Sequence, residues 1–203
     1  EKLLRDEAEN DGFNRLALLA GLDGPRITIL RAYARYLRQA GVHFSQVYIE
    51  RCLATYPHIA RLLVDFFAAR LSPQGDDARA DAIAKELCIA LSDVSSLDDD
   101  HILSAFRTAI EATLRTNAYQ SGADGKPKGY LSFKISSKQI PSLPKPVPLY
   151  EIFVYSPRME GIHLRGSRVA RGGLRWSDRM EDFRTEVLGL VKAQMVKNAV
   201  IVP

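Results

Sequence analysis

The sequence has little of what most often carries chemistry alone. Two cysteines, Cys52 and Cys88, stand far apart in its 203 residues, each in a helical pattern. That excludes a disulfide-stapled scaffold and points to two buried free thiols in a reducing compartment, the cytoplasm by default. The four histidines (His43, His58, His101 and His163) are scattered, and no pair has metal-ligand spacing. Neither Ser167 nor Ser177 has a histidine and an acid beside it to make it a nucleophile. No apolar run approaches the roughly 20 residues of a membrane span, and no secretory leader is recognisable at Glu1. No Gly-x-Gly-x-x-Gly occurs, so the dinucleotide fingerprint is missing. Trp176 is the only tryptophan and reads as a packing residue.

What is present is ordinary for a soluble globular chain: 46% hydrophobic and 26% charged residues, enough for one large domain or two small ones. The net charge of +4 is mild. It is also concentrated: residues 157 to 197 hold nine Lys or Arg against five acids. Such a stretch is either a solvated face or an anion site.

Residues 1 to 21 carry a helical pattern interrupted near Asp11-Gly12. Asp23-Gly24-Pro25 starts a helix that runs to Gly41, Ser45 starts another, and Pro57 ends that one and begins a strongly apolar third. Residues 76 to 94 and 98 to 119 read as two more helices, the second with Asp98-Asp99-Asp100 in its first turn. Three successive acids there diverge in direction, so they complement the dipole and do not form a metal site. The polar run from Gln120 to Lys128 is the expected internal boundary. After it the period changes to two: strands are expected at 130–135, 150–155 and 161–169, with a stiff four-proline segment from Ile140 to Pro148 joining the first two. The fold class is therefore α/β (α+β). A helical region, 1–120, precedes a mixed β-sheet with a packed helix, 121–203.

The chain is organised around Arg171-Gly172-Gly173-Leu174-Arg175-Trp176-Ser177-Asp178 and the helix after it. The glycine pair permits a bend without Cβ clashes. Phe183, Val187, Leu190, Val191 and Gln194 follow helical spacing, which predicts a helix over 181–198 capped by Asp178, and Asn198 to Val202 reads as a short strand. Gln194 and Lys197 share one face, whereas Lys192 lies on another and is expected in solvent. Arginine forks and a lysine point charge suit a small dicarboxylate. Arg175 either joins that pocket or braces the turn through Asp178 or Glu186.

This stretch resembles glutamate dehydrogenases. Many of them carry Lys-Gly-Gly-(Ile/Leu)-Arg, then a helix with a Glu-Val step and a lysine eleven residues after that Glu; here Glu186-Val187 and Lys197 keep the interval. Arg171 stands where the lysine is common. The longer run from Glu151 through Val200 is similar to the large NAD-specific enzymes of bacteria. The resemblance implies oxidative deamination of glutamate to 2-oxoglutarate and ammonia, with NAD bound mainly outside this chain. It assigns substrate binding to Arg171, Gly172, Gly173, Arg175, Gln194 and Lys197, and a homo-oligomer to the whole protein. The family's catalytic lysine follows a proline matched by Pro203. The chain thus reads as a segment that is incomplete at its C-terminal end, holds no catalytic residue and is inactive alone.

The rival readings are a non-enzymatic anion or nucleic-acid binder and a regulatory or assembly module. One Arg-Gly-Gly is not an array, and aromatic residues are not interleaved with the late cations, so neither nucleic acid nor membrane is an expected partner.

Overall fold

The computed structural model describes residues 9–167, 177 and 180–197, with the side chains of 194–197 excepted. A short 3-10 turn, Gly12–Arg15, runs into α1 (Leu16–Leu19). Five longer helices follow: α2 (Gly24–Gln39), α3 (Gln46–Thr55), α4 (Pro57–Leu71), α5 (Asp77–Ser92) and α6 (Leu97–Glu111). Strands β1 (Thr113–Thr116), β2 (Leu131–Ser136), β3 (Tyr150–Ser156) and β4 (Met159–Arg165) come next, and then α7 (Phe183–Lys197).

Local chemistry sets the helix starts. Asp23 Oδ1 accepts from the Arg26 N–H at 3.0 Å and opens α2. At its other end the Val42 N–H bonds back to the Leu37 carbonyl, and Gly41 takes φ +97°. Ser45 Oγ caps α3 through the Tyr48 N–H at 3.2 Å. Ser45→Ala is expected to cost about 1 kcal/mol of unfolding free energy, read by urea denaturation; no loss would show the cap to be idle. Pro57 closes α3 and occupies the first turn of α4. Ser96 Oγ caps α6 ahead of the three aspartates.

The four strands form an antiparallel sheet in the order β1-β2-β3-β4. The architecture is the expected helical region followed by a sheet packed with helices, and the described part of that sheet is antiparallel throughout. Two boundaries move. The helix expected over 98–119 ends at Glu111, because Thr113–Thr116 pairs with β2 across the polar loop. The strand expected at 161–169 lies at Met159–Arg165, paired along its length with β3.

Period-two alternation turns Phe133, Ile135, Glu151, Phe153 and Tyr155 onto one face, all buried under the helices. Three rings lock the layers together. Tyr33 of α2 stacks on Phe133 with centroids 4.3 Å apart, and Phe67 of α4 meets both edge-on at 6.0 Å. The Thr113 hydroxyl donates to the Ala109 carbonyl, so the 2.7 Å contact with the Tyr33 hydroxyl has Tyr33 as donor. Cys52 is buried, as expected, but Cys88 is exposed: α5 turns Ala80, Ile83, Leu87 and Leu91 inward, and position 88 falls off that stripe.

Candidate functional site

The site is approached through α7, the helix that ends in Gln194 and Lys197. It lies on the same face of the sheet as α2, and the junction is made by Glu151 of β3, whose side chain touches both helices. Among the described side chains of α7, Phe183, Arg184 and Leu188 are buried. This corrects the face inferred from spacing: Val187 and Val191 are half-buried and Leu190 is 48% exposed. The inward stripe is turned by the buried arginine, a residue that an apolar pattern does not register.

The helix also starts later than its sequence suggests. In a continuous helix the Arg184 N–H would bond to the Met180 carbonyl, four residues back. Here the side-chain amide of Gln39, the last residue of α2, is inserted between them. Its Oε1 accepts the Arg184 N–H at 3.1 Å and its Nε2 donates to the Met180 carbonyl at 2.9 Å. Residues 180–182 are left as a turn, and α7 begins at Phe183. Insertion of a side chain into the backbone ladder is a recognised way to break a helix.

Directly beneath, Arg184 and Glu151 form an ion pair with neither side chain exposed. Arg184 Nε donates to Glu151 Oε2 at 3.1 Å and Nη2 to Oε1, a two-point fork. The Tyr36 hydroxyl adds a 3.3 Å bond to Oε2. Burial, and then the neighbouring Glu151 charge, push the Tyr36 hydroxyl well above the usual tyrosine pKa, so it stays a neutral donor. Arg184 Nη1 is buried and has no acceptor among the described residues.

Ser177 is tied to α7 through Glu186. Ser177 Oγ donates to Glu186 Oε2 at 2.7 Å. Glu186 is thus engaged by the serine of the organising motif; Arg175 and Asp178, the partners weighed for that bracing, lie outside the described residues. So do Arg171, Gly172, Gly173, Trp176 and the strand expected at 198–202. Gln194 and Lys197 are placed three apart in the last turn of α7, on one face by helical geometry. Lys192 is exposed.

Tyr36, Gln39 and Arg184 escaped the reading of the sequence as site residues. Glu151 had a signal: in the alternation Glu151-Phe153-Tyr155, a carboxylate occupies an inward position and requires a buried partner.

A cleft of about 470 Å³ lies elsewhere, between the first turns of α2, the loop around Tyr119 and Tyr130, and the end of β3 at Tyr155. From Gly24 to Gln39 the helix rises about 22 Å, so this cleft and the α7 junction occupy opposite ends of one rod. Among the described residues, no group of three or more His, Cys, Asp or Glu could hold a metal ion, and no helix is long and apolar enough to cross a membrane.

Comparison with known proteins adds what the geometry leaves open. The family model "Bacterial NAD-glutamate dehydrogenase, catalytic domain" matches residues 86–203. A second, "Glutamate dehydrogenase, helical motif 3", matches residues 8–73. The chain is similar to the NAD-specific glutamate dehydrogenase of Halomonas elongata, with 53% identity over 205 residues, covering 100% of this chain and 13% of that protein. The NAD-specific glutamate dehydrogenase of Pseudomonas aeruginosa is 53% identical over 207 residues, covering 99% of this chain and 13% of that protein. That of Mycobacterium tuberculosis is 52% identical over 200 residues, covering 96% and 12%. The chain spans 12 to 13% of the length of these curated relatives.

Proposed function

Because the chain belongs to the bacterial NAD-glutamate dehydrogenase family, we propose that the whole protein oxidatively deaminates L-glutamate to 2-oxoglutarate and ammonia. This segment's part is to hold the substrate. Lys197 takes a substrate carboxylate as a compact charge, and Gln194, on the same face, donates to it. Arg171 and Arg175 supply guanidinium forks on either side of Gly172 and Gly173, whose backbone can approach closely because it has no Cβ. Holding both carboxylates presents the α-carbon in one orientation, which is where positioning lowers a barrier.

What most supports this reading is that the family match over residues 86–203 contains the glycine pair, Glu186 and Lys197 in their expected order. NAD, when bound, is the hydride acceptor. The sequence lacks the glycine fingerprint that cradles a dinucleotide. Its binding is assigned mainly to a region outside these 203 residues.

Lys197→Ala in the full-length enzyme tests the reading. Losing a charge-assisted hydrogen bond to a carboxylate predicts a fall of about 10- to 100-fold in kcat/KM, with most of the change in the KM for glutamate. Steady-state kinetics that match the wild type would remove Lys197 from the site.

A further inference from the structure

We propose that Gln39 is a positioning residue for the substrate site: its amide, bonded to both the Arg184 N–H and the Met180 carbonyl, fixes where α7 begins and therefore where the last turn of that helix, which carries Gln194 and Lys197, stands. The inference rests on the glutamate dehydrogenase reading above. It also gives the helical region a role in catalysis, as the frame against which α7 is aimed.

Gln39 is well suited to this. It is 7% exposed and ends a helix whose Leu30, Tyr33, Tyr36 and Leu37 are fixed in the core. Its two hydrogen bonds span 141 and 145 residues of sequence, so they tie distant parts of the chain and not a local turn. The amide supplies one acceptor and one donor to backbone groups that would otherwise bond to each other. Remove it, and the Arg184 N–H is free to close on the Met180 carbonyl, extending α7 into residues 180–182 and pulling on Ser177, which is tied to Glu186. The Arg184 fork to Glu151, steadied by the Tyr36 hydroxyl, pins the side chain of the same residue whose backbone Gln39 holds.

Leverage makes the first turn matter. From Phe183 to Lys197 the helix rises about 21 Å. A tilt of about 5° at its start moves the far end by about 2 Å, and a misplacement of about 1 Å can cost on the order of 100-fold in rate.

The test uses the full-length enzyme with two variants. Gln39→Met keeps the length and apolar body of the side chain and loses both hydrogen bonds. Tyr36→Phe removes only the hydroxyl that steadies Glu151. For Gln39→Met the expected result is a KM for glutamate about 5- to 20-fold higher and a several-fold lower kcat, with the KM for NAD within about twofold. Tyr36→Phe should move the same parameters in the same direction, by less. A purely structural role would instead lower the amount of active enzyme, dropping kcat at an unchanged glutamate KM; that result, or unchanged kinetics, overturns the proposal. If Gln39→Met does not fold, Tyr36→Phe decides, and an unaltered glutamate KM there overturns it. If the wild-type enzyme does not oxidise glutamate, the functional reading falls and this inference with it. If it does, and Lys197→Ala raises the KM while Gln39→Met leaves it unchanged, only the inference falls.

Discussion

Glu151→Ala should lower the unfolding free energy by about 3–5 kcal/mol, because it strands a whole charge in the interior. The Arg184 guanidinium is fully buried, and its Nη1 already lacks an acceptor among the described residues. Removing the carboxylate leaves the other two donors of the fork without their partner in a space that water does not reach. The Tyr36 hydroxyl loses its acceptor as well. Typical domain stabilities are about 5–15 kcal/mol, so a large fraction is at stake. Urea denaturation of wild type and variant reads the difference. The informative control is the double substitution Glu151→Leu with Arg184→Met. Apolar residues of similar volume dispense with both desolvation costs, so the double variant should be far more stable than Glu151→Ala and close to wild type. A single-variant loss below about 1 kcal/mol would mean that water or another group already compensates the guanidinium.

Phe133→Ala is expected to cost a similar amount, about 3–5 kcal/mol, by a different cause. Among the described residues, Phe133 is the sheet ring that meets both Tyr33 and Phe67, and it is fully buried between the layers. Truncation leaves a cavity walled by two aromatic residues on separate helices and a sheet, none of which can collapse into it without moving an element. The 4.3 Å stack on Tyr33 is lost at the same time, which frees a ring whose hydroxyl is held by Thr113. Denaturation should show the loss, and near-ultraviolet circular dichroism should fall as Tyr33 loses its fixed surroundings. A loss of about 1 kcal/mol or less would show that the layers are held together elsewhere.

The starts of α2, α3 and α4 were legible because their causes are local. Asp23, Ser45 and Pro57 each act on groups within three residues. The end of α6 was not, since no proline or glycine separates Glu111 from Thr113; what makes Thr113–Thr116 a strand is pairing with residues near 133, about which a local window has no information. Exposure of Cys88 was missed for a related reason: it adjoins the inward stripe of α5 by one position, and a helical pattern resolves stripes only to about a turn. The site divides the same way. The glycine pair and the Glu186-to-Lys197 interval are patterns in the chain and could be read there. Gln39 and Tyr36 act on partners more than a hundred residues away, and glutamine or tyrosine at the end of an amphipathic helix is ordinary until the fold brings that partner to it.

The aromatic triad bears on how such a protein can be inherited. Tyr33 and Phe67 fall in the stretch that matches the helical motif, whereas Phe133 falls in the stretch that matches the catalytic domain. Helix α4 belongs to the first stretch, and it packs against α5, whose C-terminal part belongs to the second, and against α6, all of which does. The seam between the two families therefore runs through the middle of one core. A chimera that took residues 8–73 from one relative and the remainder from another would have to match ring against ring across that seam. Recombination between lineages should succeed only where the two halves travel together.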